Sequence, residues 1–231
     1  MKNLFLFLFV FAFAIPVFAQ TENNDTTENT NKEIRTIFGN RTPSHGGYGA
    51  ITTNYTDLQG QDGLVMGVRG AWIINHSISL GVAGYGFFNE PVVNSQIDTE
   101  GNEYMLAGGY GGLLIEPIVG GLFPVHLAFP VVAGVGGISY ARTTYDDTWD
   151  ETEMNSPEDV DAFLIFEPGV EMEVNVLKNM RICVGAYYRL TTDVSLTRNV
   201  FLDNNFQTVE LAKPDVLNGF SYGITLKFGK F

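Results

Sequence analysis

The chain has 231 residues, of which 13 are basic and 26 acidic, and its formal net charge is −13. So acidic a chain is not expected to bind nucleic acid or an anionic membrane surface unaided. Cys183 is the single cysteine, which excludes an intrachain disulfide and a cysteine metal cluster.

Residues 1–19 are predicted to be a secretory signal peptide. Lys2 gives a short basic start, residues 4–17 are almost wholly apolar, and Ala19 ends a small-residue cleavage motif. Pro16 closes the apolar run before it reaches the roughly 20 residues that a membrane helix needs. Removal of this segment takes away one basic residue, Lys2, and leaves a charge of −14.

Residues 20–43 are polar, rich in Asn and Thr, and without an apolar period. This composition predicts a flexible linker, which belongs in the periplasm if the remaining residues, 44–231, form a domain in the outer membrane.

From residue 46 onward, apolar residues recur at every second position, which is the period of a strand with two different faces. We predict an all-β fold in which eight antiparallel strands close into an up-and-down transmembrane β-barrel. Most of the strands exceed the roughly 9–11 residues that a spanning strand needs. They are expected at 46–58, 63–74, 78–88, 103–118, 125–141, 160–176, 180–192 and 217–228.

One phase of each strand is apolar, as in Leu64, Met66 and Val68, while the other phase is small or charged. Alternation alone does not tell a membrane barrel from a soluble one, because a soluble barrel inverts the same two faces. The first strand, around Tyr48 and Tyr55, does not show which of its phases is apolar.

The lengths of the connections favour the membrane. Short turns are predicted at 75–77, 120–124 and 177–179, and long polar loops at 89–102, 143–159 and 193–216. Short periplasmic turns and long external loops are the rule for outer-membrane barrels, so both chain ends are expected in the periplasm.

The last strand resembles the aromatic-ended final strand of outer-membrane proteins, through Tyr222, Ile224, Leu226, Phe228 and the terminal Phe231. Phe231 is out of phase with Phe228 and is therefore expected past the ladder. Over residues 46–231 the chain resembles small eight-stranded barrels of the OmpX or OmpA-transmembrane-domain kind, and residues 63–86 resemble outer-membrane proteins of Bacteroidota. The resemblance implies a Gram-negative outer membrane, with its lipid and the barrel assembly machinery as partners. It brings no catalytic residues.

The interior phase supplies charges of both signs in equal number. An eight-stranded barrel is only wide enough for its own side chains, so a channel is not expected. Because an unpaired buried charge is costly, the balance predicts a paired network that fills the lumen, with a proton or ion path as the alternative. The predicted network is Arg69, Glu116, Glu167, Glu171, Glu173, Arg181, Arg189 and Lys227.

A register follows if residues 177–179 form a three-residue hairpin loop with Asn179 in the left-handed conformation. Val176 would then pair with Met180. Continuing the ladder sets Glu167 against Arg189 on the interior face, where we predict a hydrogen-bonded ion pair.

No catalytic, cofactor or metal site is expected. The acidic loop 143–159 could bind calcium, but its spacing matches no EF-hand loop, and a solvated loop is the simpler interpretation. His45, His76 and His126 all fall at the predicted periplasmic end, as turn and rim residues. An external Ser-His or Asp-His site therefore lacks its base.

The leading hypothesis is a non-enzymatic barrel with acidic extracellular loops, acting in envelope integrity, adhesion or surface interaction. A second is a barrel that binds, passes or modifies a small apolar ligand or lipid, because Pro117, Pro130 and Pro168 can interrupt the wall. A third is a secreted soluble β-barrel that binds a ligand.

Overall fold

The computed structural model describes residues 44–93, 103–143, 159–202 and 205–231. The predicted signal peptide, the linker and the possible calcium site in 143–159 lie outside these residues, apart from the two ends of that loop. Within the described ranges, no helix has the length and apolar character needed to cross a membrane.

The described residues form antiparallel strands joined by turns and loops. The strands are β1 (His45–Leu58), β2 (Gln61–Ile74), β3 (Ile78–Asn89), β4 (Val92–Val93), β5 (Glu103–Val119), β6 (Val125–Ala128), β7 (Val131–Thr143), β8 (Asp159–Leu177), β9 (Met180–Thr191), β10 (Thr197–Leu202), β11 (Asn205–Glu210) and β12 (Gly219–Lys230).

The long strands close into a ring. Strand β1 pairs with β2, β2 with β3, and β3 with β5. Strand β5 then pairs with both β6 and β7, and both of these pair with β8. Strand β8 pairs with β9, β9 with β12, and β12 with β1, which closes the ring. Because β6 and β7 are two parts of one wall strand, the ring has eight strands. The predicted eight-stranded antiparallel barrel is confirmed.

The division between β6 and β7 falls at Phe129 and Pro130, inside the strand predicted as 125–141. Proline has no amide proton to donate to the ladder, so the regular pairing pattern stops there.

The connection 193–216 was predicted as a long polar loop, and this is only partly right. It contains the hairpin β10–β11. On either side of that hairpin, Val194, Leu196, Leu211 and Val216 are buried. The short strand β4 was not predicted either.

The turns follow local backbone chemistry. Gln59 and Gly60 join β1 to β2 with φ angles of 61° and 81°, the left-handed pair that suits the twist of a two-residue hairpin. Asn75 and His76, with φ angles of 53° and 54°, begin the predicted turn between β2 and β3. Gly120, with φ 78°, begins the predicted turn after β5.

The predicted turn between β8 and β9 is wrong in detail. Leu177, not Val176, lies opposite Met180, and a bulge between Asn175 and Leu177 absorbs the extra residue. Asn179 is not among the non-glycine residues with positive φ. Beyond the bulge the predicted register returns, with Glu173 opposite Cys183 and Met172 opposite Val184.

The two faces of the wall are inverted relative to a soluble barrel. Large apolar side chains such as Val68, Leu113 and Val135 are more than 60% exposed on the outside. Arg69 and Lys227 on the inside are at most 3% exposed. In β1 the even-numbered residues from 48 to 56 face inward, which settles the face of this strand. Hydrocarbon around the barrel accounts for this inversion, because lipid accepts an apolar exterior that water would not.

Candidate functional site

The charged side chains of the lumen converge on Lys227. This residue lies on β12, the strand that closes the ring on β1, and its side chain crosses the lumen. Its Nζ lies 2.7 Å from Glu116, 2.9 Å from Glu171 and 2.5 Å from Glu173, which come from β5 and β8. One ammonium group thus ties the closing strand to carboxylates on two other walls.

Arg69 on β2 supports the same carboxylates. Its Nη2 donates to Glu171 at 2.5 Å, and its Nη1 lies 3.7 Å from Glu116. The same Nη2 lies within hydrogen-bonding distance of the hydroxyl oxygens of Thr52 (3.2 Å) and Thr225 (2.7 Å). The guanidinium is therefore contacted by groups from β1, β5, β8 and β12, and also by the Tyr187 hydroxyl on β9 at 3.2 Å.

Arg181 and His126 complete the arrangement at Glu173. Arg181 Nη1 donates to Glu173 Oε2 at 3.0 Å, and His126 Nε2 lies 2.8 Å from the same oxygen. His126 was predicted as a rim or turn histidine. It is instead buried and part of the network, while His45 and His76 lie at the barrel end as expected. We call this group the lumen cluster. It consists of Arg69, Glu116, His126, Glu171, Glu173, Arg181 and Lys227.

Hydroxyl groups around the cluster were not predicted. Tyr48 donates to Glu116 at 3.1 Å, and Tyr187 donates to Glu171 at 2.5 Å. Tyr187 shares the interior phase of Arg181 and Arg189, so alternation marked this residue. The phase of the strand that carries Tyr48 could not be told from the sequence. Each donor satisfies a carboxylate oxygen that is hidden from water.

Glu167 and Arg189 are inside the barrel as predicted, but they do not form the predicted ion pair. Glu167 accepts from Tyr110 at 2.8 Å, and Arg189 Nη2 donates to Thr56 at 2.5 Å. Among the contacts of the described residues, none joins the two side chains directly. The ladder between β8 and β9 is interrupted near Pro168, so this rung lacks regular pairing.

The carboxylates of Glu171 and Glu173 and the thiol of Cys183 lie within 4.8 Å of one another. Such atoms can hold a metal ion. Here Lys227 Nζ already contacts both carboxylates, so its positive charge fills the place that a cation would take.

The lumen is packed with apolar side chains on the side of the long loops. Tyr85 and Tyr110 stack with ring centroids 4.9 Å apart, and Phe87 and Phe163 pack against them. Glycine makes room for these rings: a Cβ on Gly67 would lie 2.2 Å from Tyr85 Cδ1. This aromatic half of the lumen was not predicted.

A smaller apolar group covers the opposite end. Tyr48, Ile73, Ile118 and Ala128 are buried there, and Phe231 packs against them. Phe231 follows the last residue of β12, which confirms that it lies past the ladder. Its ring faces the Arg181 guanidinium at 3.9 Å from centroid to Cζ.

Three prolines interrupt hydrogen bonding in adjacent strands. Pro117 in β5, Pro130 between β6 and β7, and Pro168 in β8 lack an amide proton. Backbone pairing is nonetheless kept across the break, because Phe129 donates to Pro117 at 2.9 Å and Gly169 donates to Pro130 at 2.8 Å.

A closed ring of eight strands with an apolar exterior and an ion-paired interior is the architecture of transmembrane barrels of the outer membrane. The protein is an outer-membrane β-barrel.

Solved structures show likeness of fold at low identity. Neisserial surface protein A (NspA) aligns at 11% identity with a TM-score of 0.46, over 83% of this chain and 100% of that one. A major outer membrane protein from Thermus thermophilus aligns at 12% identity with a TM-score of 0.41, over 79% and 99%. Ail, the attachment invasion locus protein of Yersinia pestis, in complex with the heparin analogue sucrose octasulfate, aligns at 10% identity with a TM-score of 0.36, over 80% and 96%.

No protein-family model matches the chain, and no curated protein sequence matches it significantly. The resemblance of residues 63–86 to Bacteroidota proteins finds no support in these comparisons. Because the TM-scores reported above are below 0.5, the barrel assignment rests on the strand ring and its two faces.

Proposed function

We propose that this barrel is a non-enzymatic outer-membrane protein whose lumen is structural and whose long-loop end makes its contacts. The roles that this fits are envelope integrity, adhesion or another surface interaction. The observation that carries the proposal is the packed lumen, in which the lumen cluster lies between two groups of buried apolar and aromatic side chains.

An ion path through this lumen would have to displace packed side chains at every level. The lumen cluster is closed by direct contacts of 2.5–2.9 Å around Lys227. Above it lie the stacked Tyr85 and Tyr110, and below it Phe231 packs against Ile73 and its neighbours. A hydrated ion that enters the apolar group around Phe231 loses its water without gaining a partner, which is costly. The charges therefore fit a structural role better than transport.

The barrel ends differ, and this difference supports an orientation. The turns 75–77, 120–124 and 178–179 are short, and β1 begins and β12 ends on the same side as these turns. We place this end in the periplasm and the end with the long connections outside. The acidic residues of 143–159 are then available to an external partner. The other proposed partners are outer-membrane lipid and the barrel assembly machinery.

Non-enzymatic function is supported by the engagement of the lumen-cluster carboxylates and by the positions of the histidines. The carboxylates of the lumen cluster are engaged by cations or hydroxyl groups. His45, His76 and His126 are all at the short-turn end. A hydrolytic site on the outer side would need its general base elsewhere.

A barrel that binds or passes a small apolar ligand is the second candidate, and the prolines favour it. Pro130 divides one wall strand into β6 and β7. Behind this break, however, Glu116 and Glu167 turn buried carboxylates into the lumen. An apolar ligand that entered there would meet charge, so this function ranks second. The soluble alternative conflicts with the apolar exterior.

Impermeant thiol labelling of whole cells tests the orientation. In a Cys183→Ala background, we expect Thr148→Cys to react and Asn179→Cys not to react. The opposite pattern would reverse the barrel. Single-channel recording in a planar bilayer tests the packed lumen: we expect no conductance steps, and a stable open pore would contradict the structural role.

A further inference from the structure

The long-loop end of the barrel holds a small pocket that the lumen cluster does not use. We call it the rim pocket. It lies between the turn of residues 59–60, the end of β3, the short strand β4, and strands β5 and β7, and its volume is about 150 Å³. Pockets that enclose drug-sized ligands measure roughly 300–1,000 Å³. The rim pocket has space for roughly five water molecules, which suits one small ring and excludes a whole lipid.

The side-chain amide of Asn89 lines this pocket. Asn89 is 6% exposed, and its Oδ1 accepts a hydrogen bond from Leu106 N at 2.7 Å. That bond fixes the amide plane and leaves Nδ2 as the group that can meet a ligand. Among the contacts of the described residues, Nδ2 has no partner. A ligand that carries an acceptor atom at this place can take a hydrogen bond from Nδ2.

Two further amides and an apolar wall complete the pocket. Gln59 and Gln61 line its opening, and their side-chain amides make no hydrogen bond within the described part of the chain. Val92 and Val93 supply apolar surface. Tyr104 adds an aromatic ring that stacks on the ring of Tyr140, with centroids 5.3 Å apart.

None of the described residues that line the pocket is charged, although the chain as a whole carries −13. A charged ligand would be taken out of water there without a counter-charge. The pocket therefore favours a neutral molecule with polar groups on one side and an apolar surface on the other.

We propose that the rim pocket binds a single neutral sugar ring, a hexopyranose that is either free or at the end of a glycan. An amide both donates and accepts hydrogen bonds, as a hydroxyl group does, so three amides match a ring edge that carries hydroxyls. The C–H face of the ring packs on Val92 and Val93, which are exposed. This inference goes beyond the proposed function, from which it takes only the outward orientation of this end.

Saturation-transfer NMR on the barrel in phosphatidylcholine nanodiscs tests the proposal. Detergents with sugar headgroups are avoided, because they would compete. The probes are glucose, galactose and mannose, and the methyl glycoside of each. We expect transfer to the ring protons of at least one sugar. Binding of a methyl glycoside indicates a glycan end, whereas binding of the free sugar alone indicates a free ligand.

The variants separate a built site from surface adsorption. Asn89→Asp keeps the acceptor for Leu106 N and removes the donor, so we expect the dissociation constant to rise about tenfold. Val92→Trp fills the pocket and should abolish the signal. Asn75→Asp is the matched control, because Asn75 Oδ1 accepts from Ser44 N at 3.1 Å at the other end of the barrel. It should bind as the wild type does.

The proposal is overturned if no probe gives transfer with the wild-type barrel, or if Asn89→Asp and Val92→Trp bind unchanged. The shift in electrophoretic mobility between unheated and boiled samples shows that each variant is folded. If one of the variants does not show this shift, Gln61→Ala is tested in its place. Nanodiscs expose both barrel ends, so a wrong orientation in the cell would leave this result unaffected.

Discussion

Replacing Lys227 by methionine keeps most of the unbranched side chain but removes the ammonium group on which three lumen carboxylates converge. The ammonium lies 2.5–2.9 Å from Glu173, Glu116 and Glu171 and is fully buried. Removing one partner of a buried charge group leaves an uncompensated charge and costs about 3–5 kcal/mol. We expect Lys227→Met to lower the free energy of unfolding by about this amount.

The three carboxylates depend on Lys227 to different degrees. Glu171 keeps Arg69 at 2.5 Å, and Glu173 keeps Arg181 at 3.0 Å. Glu116 keeps only the Tyr48 hydroxyl at 3.1 Å and Arg69 at 3.7 Å. Glu116→Gln should therefore restore much of the stability that Lys227→Met removes, because it neutralises the carboxylate with the weakest remaining partners.

Urea unfolding in phospholipid vesicles, followed by tryptophan fluorescence, measures this cycle. Lys230→Met makes the same chemical change three residues further along β12 at an exposed position, and we expect it to stay within about 0.5 kcal/mol of wild type. Additive effects of Lys227→Met and Glu116→Gln, or a Lys227→Met barrel as stable as the Lys230→Met barrel, would refute the reasoning.

Three smaller perturbations test the rest of the barrel. Gly67→Val forces a side chain against Tyr85 and should lower the free energy of unfolding by roughly 1–3 kcal/mol. Gly70→Val is the control and should be tolerated, because no atom lies within 4 Å of a Cβ at this position. Equal losses of stability in the two variants would contradict the packing argument. Phe231→Ala removes the ring beside Arg181 and should lower the stability of the barrel, refolded without the assembly machinery, by about 0.5–2 kcal/mol. An unchanged stability would contradict a stabilising role for this ring. Unheated and boiled wild-type samples should migrate differently on a gel, because a closed ring leaves no strand edge to unravel; identical migration would argue against closure.

The strands could be predicted because a barrel wall separates two media. One face meets lipid and the other a crowded lumen, so the period of two persists along each strand. The ends of β2 and β3 came within two residues of the prediction for this reason. The β8–β9 turn failed because a bulge moves pairing by one residue without disturbing the alternation further along.

The aromatic half of the lumen could not be predicted by the rule that gave the charged half. That rule takes apolar residues as outward-facing and charged ones as inward-facing. Tyr85, Phe87 and Phe163 break it, since they face inward against glycines on neighbouring strands. The signal was present, because Phe163 shares the phase of Glu167 in β8, and Tyr85 and Phe87 share the phase of Gly81 and Ala83 in β3. Hydropathy alone assigns such aromatic residues to the lipid face.

The pairing of the charges shows a different limit, which comes from the width of the barrel. Register identifies neighbours along the wall, and on that basis Glu167 and Arg189 were expected to pair. In a lumen this narrow, long side chains reach past their neighbours to other walls. Lys227 is paired with Glu116, 111 positions away in sequence, and Arg69 with Glu171, 102 positions away. The inward position of a charge therefore follows from alternation on its own strand, whereas its partner depends on how the ring closes. For this reason the variants at Lys227 and Glu116, which stand on β12 and β5, probe the closed ring itself and not a single hairpin.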